Sequence, residues 1–209
     1  MRMFKRLAAA VAVSGLLLGG AAGAASAATT SARPQCPTSA VRLSGGQTSV
    51  TTAPGIAAAL LSHGIVPLAT LPGTEGASAS KSGIAVTFSF PVTGGRVNLK
   101  QLTGTIGHSG GIVFIAPATG KQIAVSNFVI NLKARVLTAI VNGNPKARVP
   151  LLSLGLGGAK VVASRHAVRV SGIVARLTKT AAGALDATFG TSLFTPGLEL
   201  GTARTLVRF

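Results

Sequence analysis

Acidic side chains are scarce in this sequence: three occur in 209 residues, against 20 lysines and arginines. Glycoside hydrolysis needs a pair of carboxylates within about 10 Å of each other. Because Glu75, Asp186 and Glu199 are the only candidates, that chemistry is not expected. The three histidines have no metal-ligand spacing, and the CxxC and HExxH patterns are absent, so no metal site is predicted.

Tyrosine and tryptophan are absent altogether, and phenylalanine occurs eight times. Single-stranded nucleic acids are held by cations together with stacking aromatic side chains. The composition therefore does not predict a specific nucleic-acid partner. Cys36 is the only cysteine, so no intramolecular disulfide can form. It lies between Pro34 and Pro37, and we interpret it as an exposed thiol on an N-terminal arm.

The N-terminal segment has the pattern of a secretory signal peptide. Cations at Arg2, Lys5 and Arg6 precede an apolar run over residues 7–22, and Ala25-Ser26-Ala27 matches an A-x-A cleavage site. The run is shorter than the roughly 20 residues that span a bilayer. Cleavage after Ala27 is therefore predicted, with no transmembrane anchor afterwards. The expected location is secreted, extracellular or associated with the cell wall.

Removal of residues 1–27 from the 209 would leave 182, a length that favours one domain. Residues 28–47 are rich in Ala, Thr, Ser, Pro and Gly without a period, which predicts a flexible arm. A single β-rich domain is expected over residues 48–209. Within it, residues 54–64 predict a helix with Thr52 as a possible N-cap and Gly64 as its stop. A second helix is predicted over residues 178–188.

A period of two begins at Ile84, with Val86, Phe88 and Phe90 on one face of a predicted strand. The Thr93-Gly94-Gly95 stretch predicts a tight hairpin turn. Further strands are predicted at 102–107, 111–115, 122–132, 134–141, 147–152, 160–163, 167–176 and 200–209. The expected fold class is mainly β: an antiparallel β-sandwich or barrel-like domain with one or two short helices.

The mature chain would be strongly basic. With the three signal-peptide cations removed, 17 lysines and arginines face three acids, a net charge of +14. Such a field attracts an anionic cell-wall polymer or another anionic surface. Cations two residues apart on a strand share one face, which defines a candidate basic face made of Arg96, Lys100, Lys133, Arg135, Arg165 and Arg169.

One serine-containing motif matches a pattern that is typical of hydrolases. Gly107-His108-Ser109-Gly110-Gly111 matches G-x-S-x-G, the nucleophile-elbow pattern. A nucleophile elbow requires a helix after the serine, whereas the sequence predicts a strand from Ile112 to Ile115. A catalytic triad also needs an acid, and Asp186 is the only aspartate. We therefore interpret the stretch as a glycine-rich turn between two strands and predict no enzyme activity.

Several short motifs carry a family resemblance over about three quarters of the chain. His63-Gly64-Ile65 and the stretches at 88–95, 104–111, 137–139 and 189–191 resemble a group of secreted actinobacterial proteins. The order of elements is, more distantly, similar to the haem-transport-associated domain of actinobacterial surface proteins, a β-sandwich module. That resemblance implies haem held by an axial tyrosine, and this sequence has no tyrosine. His108 is the candidate cofactor-binding residue in its place, because imidazole ligates haem iron.

Two functions follow as expectations. The first is a secreted, basic, non-enzymatic β-sandwich module of the cell envelope or extracellular space, with a binding or structural role and no cofactor. The alternative is a protein that binds haem or a small apolar ligand. An apolar pocket lined by phenylalanines and His108 favours the alternative, whereas a filled core favours the first.

Overall fold

The computed structural model describes residues 40–81, 83–98 and 100–209, which form thirteen strands and two helices. The helices are α1 (Ile56–Ser62) and α2 (Lys179–Phe189). The strands are β1 (Val41–Arg42), β2 (Gly45–Thr52), β3 (Val66–Thr70), β4 (Thr74–Ser80), β5 (Gly83–Asn98), β6 (Thr103–His108), β7 (Gly111–Ala116), β8 (Lys121–Asn131), β9 (Val136–Val141), β10 (Asn144–Gly155), β11 (Lys160–Ala163), β12 (Ala167–Leu177) and β13 (Glu199–Arg208).

Eight of these strands close into an antiparallel barrel. The ring runs β5-β2-β13-β12-β10-β9-β8-β6 and returns to β5. The other strands extend its wall: β3 pairs with β7, β7 with β8, β4 with β5, β1 with β5 and β11 with β12. The predicted fold class is thereby confirmed.

The alternation of side chains along each strand explains why the sheet closes around a core. In β13, Ala203, Thr205 and Val207 are buried while Arg204 and Arg208 are exposed. Successive residues of a strand point to opposite faces, so one face of β13 fills the interior and the other meets solvent. Closing the ring also removes the unpaired edges that an open sheet of these eight strands would expose.

Strand β5 is longer than the sequence predicts, and the hairpin turn predicted at Thr93-Gly94-Gly95 is wrong. The strand continues through these residues and changes register between Val92 and Gly94. The bulge carries β5 from its pairing with β4 to its pairing with β6. Glycine is needed at Gly95 because a Cβ there would overlap the Thr105 carbonyl, and its φ of 136° disfavours other residues.

The stretch around Ser109 also differs from prediction. Strands β6 and β7 run in the same direction along β8, since Thr105 lies opposite Asn131 and Gly111 lies opposite Ser126. Ser109 and Gly110 are therefore a break within one strand path rather than a turn that reverses the chain. Gly110 has a φ of 86°, in the left-handed region that favours glycine.

Both helices lie at one end of the barrel, which we call the helix end. Helix α1 follows β2, and α2 lies between the end of β12 and the start of β13. Thr178 caps α2 by accepting a hydrogen bond from the Ala181 amide at 3.2 Å. Thr52 was the wrong N-cap for α1: Gly55 takes that position, and the Thr52 hydroxyl accepts a hydrogen bond from the Val86 amide.

The β structure begins before residue 48. Strands β1 and β2 use residues that the composition assigned to the arm, because Gly45, Gly46 and Gln47 pair with the end of β13. Strands β3 and β4 were also not predicted, although a turn at Pro72-Gly73 does separate them. The predicted signal peptide and Cys36 lie outside the described residues.

Candidate ligand-binding site

The interior of the barrel contains an apolar cavity of about 120 Å³ near the helix end. Helix α1 contributes Ile56 and Leu60 to its wall, and α2 contributes Ala181, Ala184 and Leu185. Most of the remaining wall comes from the inward faces of the strands, and Phe194, between α2 and β13, completes it. An eight-stranded barrel is just wide enough to be filled by side chains or to hold one small ligand.

Phenylalanines make up much of the cavity wall. Five of the eight in the chain contribute to it: Phe88, Phe90, Phe114, Phe128 and Phe194. The rings of Phe90 and Phe128 meet edge to face, with centroids 4.8 Å apart and planes inclined at 65°. This geometry is favourable for aromatic pairs and fixes the two rings relative to each other.

His108 is the cavity's one ionisable side chain and is only 5% exposed. Its Nε2 lies 2.7 Å from the Thr48 hydroxyl oxygen, and its Nδ1 lies 3.3 Å from the carbonyl oxygen of Phe128. The Thr48 hydroxyl oxygen is in turn 3.1 Å from that of Thr205, within hydrogen-bonding distance. Both ring nitrogens therefore have a hydrogen-bonding partner, and the chain of polar groups joins β6, β8, β2 and β13.

Burial makes His108 hard to protonate. Loss of solvent lowers the pKa of the ring from 6.5 to about 4, while hydrogen bonds to the backbone at Phe128 and Ile106 raise it and offset part of that effect. The imidazole is consequently neutral at physiological pH. The cavity wall thus carries no ionised group, which suits an uncharged, apolar occupant.

The interior does not fit a haem held by His108. An imidazole ligand needs a free nitrogen lone pair aimed at the iron. Here both ring nitrogens face protein partners, in Thr48 and Phe128. The chain also has no tyrosine to act as the axial ligand. A cavity of about 120 Å³ is small beside the roughly 300–1,000 Å³ of ordinary ligand pockets.

A second apolar space lies outside the barrel wall, in a groove of about 370 Å³. Its walls are α1 and strands β3, β4 and β5, and Leu61, Leu68 and Ile84 are exposed along it. Glu75 is the one charged residue lining it, and its carboxylate accepts a hydrogen bond from the Ala69 amide. Pro67 lines both the groove and the interior cavity, so the two spaces are neighbours separated by α1 and β3.

The surroundings of Ser109 do not form a nucleophile elbow. Strand β7, and not a helix, follows the serine. The neighbouring His108 ring points into the barrel. Asp186 is engaged elsewhere: its Oδ1 accepts hydrogen bonds from the Thr191 hydroxyl and the Phe194 amide beyond the end of α2. The structure thus brings no base and acid to Ser109.

The residues of the candidate basic face lie mainly in turns. Asn98, midway between Arg96 and Lys100 in the sequence, is buried and hydrogen-bonded to Gln101. Of the six cations, Arg96 and Arg169 are on strands; Lys100, Lys133, Arg135 and Arg165 are in turns. Four of the six therefore do not lie on a strand, although the two-residue spacing had assumed that they do. All six nevertheless lie toward the end of the barrel opposite the helices.

Within residues 40–81, 83–98 and 100–209, no group of three His, Cys, Asp or Glu side chains is arranged to hold a metal ion. Neither helix in these ranges is long and apolar enough to cross a membrane.

Comparison with solved structures identifies the architecture. The crystal structure of the C-terminal domain of HtaA from Corynebacterium glutamicum superposes with a TM-score of 0.51, covering 79% of this chain and 99% of that one, at 18% identity. The chain has the HtaA-domain fold. A domain-swapped dimer of the H434A variant of that domain matches with a TM-score of 0.47 and 19% identity, over 69% of this chain and 83% of that one. No protein-family model and no curated protein matches the sequence.

The HtaA comparison confirms, at the level of the fold, the distant resemblance inferred from the order of elements. At 18% identity it does not transfer a ligand or a residue role. The chemistry of the site must therefore be argued from this chain's own side chains. Thr48 and Thr205 are part of that chemistry, although the sequence motifs did not single them out. Each lies at an inward-facing position of its strand, and the two-residue alternation along the strand could have indicated this.

Proposed function

We propose that this protein is a secreted, non-enzymatic binding module of the cell envelope or extracellular space that holds a small, uncharged apolar ligand inside its barrel. The observation that carries the proposal is the cavity beside His108, walled by phenylalanines and aliphatic side chains. The HtaA-domain fold is compatible with a binding role, and the strand after Ser109 argues against the hydrolase alternative.

The size and polarity of the cavity define the ligand. An apolar cavity of about 150 Å³ engineered into another protein stays dry and binds benzene. At about 120 Å³ this cavity fits a group of similar or smaller size, such as a short branched alkyl chain or one aromatic ring. The side chains of α1 and α2 cover the cavity on the side of the helix end.

Filling the cavity should abolish binding. Ala184 lines it from α2, and the larger side chain of Ala184→Leu would occupy the space. Ala187 is exposed on the same helix, so Ala187→Leu is a matched control. In a titration with benzene followed by NMR, we expect Ala184→Leu to lose affinity by at least about tenfold and Ala187→Leu to behave as wild type. Unchanged affinity in a folded Ala184→Leu would contradict the proposal.

Secretion has its own test. If residues 1–27 are a signal peptide, the protein recovered from culture medium should begin at Ala28, directly after Ala25-Ser26-Ala27. N-terminal sequencing of that protein measures the result. Recovery of a chain that retains Met1 in the membrane fraction would show that the segment is not removed.

A further inference from the structure

Exposed lysines and arginines gather at the end of the barrel opposite the helices. Strand β5 ends beside the start of β6, and β6 pairs with the end of β8, so the turns carrying Lys100, Lys133 and Arg135 are brought to the same end. The Leu154 amide donates to the Arg135 carbonyl at 2.8 Å, which sets that turn against the end of β10, just ahead of β11. The β11–β12 hairpin adds Arg165 and Arg169.

Strand pairing extends this cluster with three more exposed cations. Arg42 of β1 lies directly opposite Arg96 of β5, Arg208 ends β13, and Lys160 begins β11. We call these three, together with Arg96, Lys100, Lys133, Arg135, Arg165 and Arg169, the basic end.

No side-chain carboxylate offsets the basic end. The three acidic residues of the whole sequence all lie toward the helix end. Glu199 is the first residue of β13 and forms an ion pair with Arg176, with a distance of 3.1 Å. Asp186 is in α2, and Glu75 is opposite Phe88 in the half of β5 that leads away from the basic end. The charge of the barrel is therefore polarised along its axis.

Large apolar side chains are exposed among these cations. Leu102 is 44% exposed, Val161 52% and Val162 65%. Leu102 follows Lys100 in the turn between β5 and β6, and Val162 lies directly opposite Arg169 in the β11–β12 pairing. Leu102 in its turn and the two valines of β11 gain nothing from contact with water or with a hydrophilic polymer, but exposed aliphatic groups gain from burial in hydrocarbon.

We infer that the basic end is a docking surface for an anionic phospholipid bilayer. Its cations approach the lipid phosphates, and Leu102, Val161 and Val162 enter the boundary between headgroups and acyl chains. Surface attraction of lysines and arginines together with shallow insertion of apolar side chains is how peripheral proteins bind such membranes. The helix end, with its cavity, would face away from the bilayer.

Two other classes of anionic partner would be attracted by the cations but offer nothing to bury the exposed apolar side chains. A phosphodiester polymer of the cell wall offers no hydrocarbon layer for Leu102, Val161 or Val162. Single-stranded nucleic acid is held by stacking on aromatic rings. Among the described residues beside the basic end, Phe209 packs against the core and His166 is the one exposed ring. The bilayer is the partner that uses both features of the surface.

The charge contribution is tested with vesicles of phosphatidylcholine containing phosphatidylglycerol, and with pure phosphatidylcholine as the neutral reference. We expect sedimentation with the anionic vesicles only. The Lys100→Gln/Lys133→Gln/Arg135→Gln variant should bind them at least about tenfold more weakly. The Lys121→Gln/Lys146→Gln/Lys179→Gln variant changes the net charge equally, at exposed positions toward the helix end, and should bind as wild type. Because all variants share one N terminus, residues before Val41 affect them equally.

The apolar contribution distinguishes a bilayer from a polymer. Leu102→Asn/Val161→Thr/Val162→Thr keeps the backbone preferences, since Asn tolerates the φ of 51° at Leu102 and Thr is β-branched. We expect wild type to retain part of its vesicle binding in 1 M salt, where charge attraction is screened within about 3 Å, and this variant to lose it. A Leu71→Asn/Ile84→Thr control, at exposed positions away from the basic end, should resemble wild type.

Three results would overturn the inference. The first is no sedimentation with anionic vesicles. The second is equal loss in the two charge variants. The third is binding to soluble polyglycerol phosphate as tight as to vesicles, with the Leu102→Asn/Val161→Thr/Val162→Thr variant indistinguishable from wild type, which would assign the surface to a cell-wall polymer.

Discussion

Acidification from pH 7 to pH 4 is expected to reduce the free energy of unfolding by about 3 kcal/mol through His108 alone. The buried ring has a pKa of about 4 in the folded protein and 6.5 as the reference for the unfolded chain. The unfolded state therefore binds the proton more readily. Stability is complete above pH 6.5 and falls as the pH drops toward 4, at up to about 1.4 kcal/mol per pH unit.

The measurement is urea denaturation followed by circular dichroism at a series of pH values, since the chain has no tryptophan for fluorescence. His108→Gln keeps an amide that can reach the Thr48 hydroxyl but cannot titrate, so the fall in stability between pH 6.5 and 4 should largely disappear. His63→Gln, at the exposed end of α1, should keep it. An identical pH dependence in wild type and His108→Gln would show that His108 is not the group responsible.

The strand pattern was predictable wherever one face of a strand is buried. Most of the segments that became β6 to β13 were anticipated because alternation of apolar and polar residues indicates a sheet with one buried and one solvent-exposed face. Strand β11 was anticipated although it is almost wholly exposed. The second helix was also anticipated, over residues 178–188. Its N-cap is local, since the Thr178 hydroxyl accepts a hydrogen bond from the Ala181 amide within one helical turn. Local chemistry and a two-residue period suffice for these elements.

Elements without that signature were missed. Strand β4 is exposed along its whole length, so Thr74–Ser80 shows no alternation. Strand β3 is short and includes Pro67, a residue that argues against a strand unless it lies at an edge. The Gly94-Gly95 pair has the composition of a turn, but only the neighbouring Thr105 carbonyl shows that a bulge is required there. Closure of the ring depends on such pairings, which no local window contains.

The candidate site was only partly predictable for the same reason. His108 could be selected as one of three histidines, but its burial depends on Thr48 and Thr205, which are 60 and 157 residues from their partners in the chain. Six of the cations of the basic end were anticipated from the sequence, but their common location at one end of the barrel was not. Turns far apart in the sequence meet at one end of a barrel only once the strand order is known.

Gly110→Val is expected to destabilise the protein by about 3 kcal/mol or more, a larger effect than that of any exposed substitution discussed above. Gly110 has a φ of 86°, which costs a β-branched residue about 1–3 kcal/mol. A Cβ there would also lie 2.7 Å from the Gly73 amide nitrogen and 3.0 Å from the Thr70 carbonyl oxygen. Both contacts are with the backbone between β3 and β4, which cannot move aside as a flexible side chain would.

Ser109→Ala is the matched control, and it also tests the hydrolase alternative. The Ser109 hydroxyl has no hydrogen-bonding partner among the described residues, so its loss should change stability by about 0.5 kcal/mol or less. If the stretch serves only to connect β6 to β7 beside the β3–β4 turn, the free energy of unfolding measured in urea should be far lower for Gly110→Val than for Ser109→Ala. Neither wild type nor Ser109→Ala should then react with a fluorophosphonate probe. Stoichiometric labelling of wild type that disappears in a stable Ser109→Ala would instead make Ser109 a nucleophile, because such probes modify only an activated serine.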